Sequence, residues 1–88
     1  MTYIVSFNVA TEETRARVSE VLKSYSAYCP IHKYGWAVST SDTAAAIRDK
    51  IMAVLSPNDS VFVVRSGTEA AWFNTYGDAN SKWLKENL

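Results

Sequence analysis

Eighty-eight residues, 48% apolar and 20% charged, suffice for one compact core and leave no material for a second. Nine Lys and Arg balance nine Asp and Glu, so no bulk field draws the chain to polyanions or to an acidic membrane surface. The single cysteine, Cys29, excludes an intrachain disulfide and a cysteine-rich zinc module, and fits a reducing, cytoplasmic compartment. Neither a secretory leader pattern nor an apolar run long enough to cross a bilayer is present, which leaves a protein neither exported by that route nor spanning a membrane as the expectation.

The chain opens on a β-branched and aromatic run, Tyr3 to Val9, in which Tyr3, Val5, Phe7 and Val9 share one face and Ile4, Ser6 and Asn8 the other. Thr11 then offers a capping oxygen and Glu12 and Glu13 place negative charge on a first helical turn. Val18, Val21, Leu22 and Tyr25 follow at helical spacing, which predicts a helix of three to four turns from about Glu12. Pro30 lacks a backbone donor, so Tyr28 to His32 reads as an irregular edge strand ahead of a turn near Lys33 to Gly35. Trp36 to Thr40 is a better strand. A second helix is expected from Ser41 or Asp42 through the alanines 44 to 46, with Ile47, Ile51, Val54 and Leu55 inward, ended by Ser56-Pro57-Asn58-Asp59. Val61 to Val64 is apolar at every position, which predicts a strand covered on both faces in the functional state.

A constant shift along the chain lays Tyr3, Val5 and Ser6 over Trp36, Val38 and Ser39, and Val18, Val21 and Leu22 over Ile51, Val54 and Leu55. Two βαβ-like units in tandem give βαββαβ, an α+β chain whose commonest solution is the ferredoxin-like four-stranded antiparallel sheet with both helices on one face. Residues 1–65 carry that repeat within a single domain, and 66–88 form a C-terminal extension. There Asp78 to Ser81 supplies cap candidates for a short helix bearing Trp83, Leu84 and Leu88, expected to dock over its own sheet or a neighbour's. The sheet face opposite the helices needs cover, so a homodimer through that face or its edge is expected.

Chemical constellations are sparse. His32 and Cys29 lack the further ligands that zinc requires, no metal site is expected, and no third residue orients them as a nucleophile and base. Gly35, Gly67 and Gly77 are too scattered to cradle a phosphate, and no cofactor is expected. Arg65 and Glu69, flanking Ser66-Gly67-Thr68, could present charge in one loop or pair with each other across it. Trp36 and Trp72 are candidates for stacking on single-stranded nucleic acid, set against the core and interface roles that large aromatics usually fill. Arg15, Arg17, Arg48 and Lys50 could form a basic stripe, but interspersed acids favour a solvated, ion-paired helix face. Asn8 closes the first strand at the sheet rim, where an aspartate could hold a hard cation and an amide cannot supply the charge. Asp59, before the last repeat strand, is the candidate substitute, although helix-to-strand turns favour Asp for backbone hydrogen bonding in any case.

Tyr3-Ile4-Val5-Ser6-Phe7-Asn8-Val9 and Asn58-Asp59-Ser60-Val61-Phe62-Val63-Val64, with the arginine-bearing helix between them, resemble the small ferredoxin-like nuclease family that includes the CRISPR-associated adaptation subunit and VapD-like toxins. The likeness is closer to the short proteins of the SinR family, and extends through Thr43 to Asp49, Glu69-Ala70-Ala71-Trp72 and Ser81-Lys82-Trp83-Leu84-Lys85. The resemblance implies a ferredoxin-like fold, a homodimer and a link to nucleic-acid biology. In the nuclease members an aspartate ends the first strand and, paired across the dimer, holds a metal ion; Asn8 stands at that position here. The expectation is therefore a non-catalytic, homodimeric interaction module that takes a protein or nucleic-acid partner. A weak RNase or DNase drawing on Asp59, Arg65 or Glu69 is the alternative, and a single-strand-binding module the third.

Overall fold

The computed structural model describes residues 1–67, 69–73 and 76–88 of the chain. In order, the elements are β1 (Thr2–Asn8), α1 (Glu12–Lys23), β2 (Ala27–His32), β3 (Gly35–Ser39), α2 (Ala44–Met52), β4 (Ser60–Arg65) and α3 (Gly77–Asn87). The strands form one sheet in the order β2-β3-β1-β4, every neighbouring pair antiparallel. This is the ferredoxin-like α+β arrangement.

Alternation along β1 divides the molecule. Tyr3, Val5 and Phe7 are buried and continue into Val9, joining Trp36 and Val38 of β3 against Val18 and Leu22 of α1 and Ile47 and Ile51 of α2. Each such aliphatic side chain contributes about 1.5–3 kcal/mol by leaving water. The repeat is real in three dimensions. Tyr3 and Trp36, Val5 and Val38, and Val18 and Ile51 all lie in this one core.

Both helices begin on a threonine. Thr11 Oγ1 accepts from the Thr14 amide and Thr43 Oγ1 from the Ala46 amide, each at 3.1 Å, satisfying a donor that the first turn cannot. The second helix thus starts later than Ser41 or Asp42. Asp42 is occupied elsewhere, accepting from the Tyr25 hydroxyl at 3.0 Å and from Lys50 Nζ at 2.8 Å. These two bonds, Lys50 first, hold the Asp42 carboxyl below its ordinary range. The same helix stops at Met52, before the Pro57 turn, and Val54 and Leu55 reach the core from the turns beyond it.

β2 is an edge strand, which accommodates the missing donor of Pro30, and its register against β3 shifts between Pro30 and His32. Gly35 opens β3 beside the ring of exposed His32. A Cβ there would stand 2.6 Å from His32 Cε1. α3 begins at Gly77, ahead of the expected caps, with Tyr76 at its N-cap making no side-chain cap bond, and Gly77 takes φ 64°. Asp78 is left as the acidic residue of the first turn. No helix among the described residues is long and apolar enough to cross a membrane.

Candidate functional site

Asn8 and Asp59 lie at the same rim of the sheet. Asn8 is exposed and lies opposite Ser60 in the β1–β4 register, with Asp59 the next residue. The Asp59 carboxylate faces the backbone. Its Oδ1 accepts from the Ala10 amide at 3.1 Å and its Oδ2 from the Ser56 amide at 2.9 Å, tying the β1–α1 connection to the turn that launches β4. That is the work of a turn aspartate. Among the described residues no group of three or more His, Cys, Asp and Glu comes together to hold a metal ion.

Arg65 stands at the far end of β4 and is not brought to Glu69. Its Nη1 lies 3.3 Å from Met1 Sδ, Glu69 is exposed, and no ion pair joins the two among those of the described residues. Thr68, between them, lies outside the described residues. The stripe of basic residues on the helices is neutralised locally, Arg15 by Glu12, Arg17 by Glu13, Arg48 by Asp49 and Lys50 by Asp42. Lys33 also reaches Glu12 at 3.0 Å, and its hydrogen bond, ahead of that of Arg15, pulls the Glu12 carboxyl down.

The two stacking candidates lie in different settings. Trp36 is 5% exposed, on the helix side of the sheet with its ring centroid 5.7 Å from that of Tyr28, so neither face is open to a base. Trp72 is half-buried, and its Nε1 donates to Ser81 Oγ at 2.9 Å, fastening the extension to α3. Cys29 is buried with its thiol toward the carbonyls of Pro30 and Asn80, 3.6 Å from each, and burial pushes its pKa up. A nucleophilic cysteine needs the opposite shift. His32 is exposed, its Nδ1 accepting from the Tyr34 amide at 3.3 Å.

What remains is the sheet face away from α1 and α2, and it has two unlike halves. Over β2 and β3 lies α3, whose Leu84 is buried on Cys29 and Ala37, with Ile4, Ile31, Trp72, Trp83 and Leu88 packed around them. Backbone and side chain strap this half shut. The Tyr76 amide donates to the Ile31 carbonyl at 3.1 Å, and Asn80 Nδ2 to that of Pro30 at 3.1 Å. Over β4 and the neighbouring Ser6 and Asn8 of β1, the described residues provide no such cover. Phe62 is 67% and Val64 44% exposed, beside exposed Ser6 and Asn8.

β4 is also the second edge of the sheet. The Ser66 amide donates to the Thr2 carbonyl at 2.9 Å, so by the alternation of an antiparallel ladder the even-numbered residues of β4 bond to β1. Val61, Val63 and Arg65 therefore direct their backbone groups away from the sheet. Sequence reasoning identified the two-faced apolar strand but not Phe62 as its exposed member, nor this outward row. The signal for the row was the absence of proline between Ser60 and Val64, in contrast to Pro30 in β2.

Fold and surface together define a ferredoxin-like α+β domain with one finished and one unfinished sheet edge. No family model matches the chain and no curated protein matches it. Among solved structures the chain is similar to a hypothetical protein, TT1823, from Thermus thermophilus, with a TM-score of 0.68 at 13% identity over 84% of this chain and 90% of that one. At that identity the likeness bears on the fold alone.

Proposed function

We propose that this chain is a non-catalytic interaction module that works as a homodimer, using the half of the outer sheet face that α3 leaves open. The observation that carries the reading is the exposure of Phe62 and Val64 on a strand whose other face is packed against the core. Large aromatics are favoured anchors of interfaces, because they bury much area for little lost side-chain freedom. The SinR-like and nuclease-family resemblance supports a dimer and a setting in nucleic-acid biology. Asn8 and the engagement of Asp59 by two amides argue against hydrolysis of a phosphodiester at this rim.

Light scattering over a dilution series tests the reading. The wild type is expected to give the mass of a dimer at micromolar concentration, and Phe62→Asp that of a monomer with an unchanged circular dichroism spectrum. A wild type that stays monomeric to millimolar concentration ends the proposal. Labelled RNA and DNA, incubated with Mg2+ or Mn2+, are expected to remain intact, and metal-dependent cleavage would restore the nuclease reading.

A further inference from the structure

Resting on the dimeric reading above, we infer that two copies join through their β4 strands, antiparallel and with Val63 on the two-fold axis, so that two four-stranded sheets become one. The outward backbone groups of Val61, Val63 and Arg65 are spaced evenly about Val63. In that register Val63 bonds to the partner's Val63, and Val61 and Arg65 to the partner's Arg65 and Val61, so every outward donor and acceptor of β4 is used. A shift by one residue would set bonded groups against side-chain rows, and a shift by two would leave Arg65 or Val61 unpaired within the strand.

Side chains on both faces agree with this register. On the outer face Phe62 falls opposite the partner's Val64, and Val64 opposite the partner's Phe62. These are close, non-hydrogen-bonded pairs of the aromatic with β-branched kind that sheets favour. The two exposed apolar residues of each copy thus merge into one patch across the axis.

On the helix face the ends of β4 carry opposite charge, Asp59 before it and Arg65 at its close. Within one copy, among the described residues, neither has an ion-pair partner. Antiparallel pairing brings Arg65 opposite the partner's Val61 and diagonal to the partner's Asp59, within reach of a long side chain. A second copy therefore sets the basic end of one β4 beside the acidic end of the other, with Asp59 keeping its two amide bonds, a charge complement that an arbitrary extended peptide would not offer. The other sheet edge offers no such site, since Pro30, the register shift and the bonds from Tyr76 and Asn80 already occupy it.

The experiment uses wild-type protein prepared as an equal mixture of isotopically labelled and unlabelled chains. Isotope-filtered nuclear Overhauser spectra are expected to show contacts between the α-protons of Phe62 and the partner's Val64, whose α-carbons would lie about 4.5 Å apart. Val63→Pro removes the outward donor without touching a bond to β1, and is expected to weaken the dimer roughly 10- to 100-fold. A dimer by light scattering that lacks these contacts, or that ignores Val63→Pro, overturns the β4 pairing and leaves the dimeric reading standing. A monomer under all conditions overturns both.

Discussion

The two edges of this sheet are built from comparable material and finished in opposite ways. β2 and β4 each contribute six residues, and each borders a strand that is well paired on its other side. β2 carries Pro30, breaks register beside it, and accepts hydrogen bonds from the segment that opens α3. β4 carries neither proline nor bulge, and its outer side chains, Phe62 and Val64, are exposed. An unprotected edge of this kind invites pairing with another chain, and natural proteins leave one open chiefly where pairing is wanted. One edge is closed from within, and the other is left open.

Breaking the closed edge should give the largest effect. Leu84 is 1% exposed and central to the contact between α3 and the sheet, so Leu84→Ala is expected to lower stability by about 2–5 kcal/mol in urea unfolding. It should also release Cys29. In the wild type the thiol, held above its ordinary pKa by burial, is expected to react with a maleimide only slowly; in Leu84→Ala the reaction should accelerate at least tenfold. Equal labelling rates in the two proteins would show that α3 does not close this half.

Asp59→Ala tests the base of the open edge. Two amide bonds that fix the start of β4 would be lost, but water reaches this turn, so a loss of about 1–2 kcal/mol is expected, with β1 and α1 retained. Amide exchange should quicken at Ala10 and Ser56, whereas an unchanged rate there would deny the tie.

The smallest effect is a pH dependence in the alkaline range, carried by the thiol in the closed half. The folded pKa of Cys29 is raised, so the unfolded chain ionises first as pH increases. Stability from this group is whole below the ordinary thiol range and declines as pH climbs from there toward the folded value. Cys29→Ala, followed by unfolding midpoints across the same range, should flatten that decline.

The elements on the helix side of the sheet are nearly all legible along the chain, because alternation in β1 and the stripe of α1 each state locally which face is apolar. Thr11 marks its helix start directly. Thr43 is harder to see, since Ser41 and Asp42 are equally good caps by type, and only the pull of Tyr25 and Lys50 on Asp42 passes the cap to Thr43. Arg65 and Glu69 are near in sequence but not paired, and the aromatic residues divide by location. Trp36 fills the core while Phe62 remains outside, a difference that residue type cannot express.

The sequence by itself determined the alternating strands, the two amphipathic helices, their duplication, and the edge character of β2 that Pro30 favours, because each follows from interactions within a few residues. Which strand ended beside which was decided only when the repeat closed into the order β2-β3-β1-β4. That order makes β4 an edge and turns its odd-numbered backbone groups outward. It also lets Leu84 settle on Cys29 and Ala37 of its own sheet, so that α3 covers one half of the outer face and leaves Phe62 and Val64 bare. Cover and exposure are relations between segments distant in the chain, and only packing sets them.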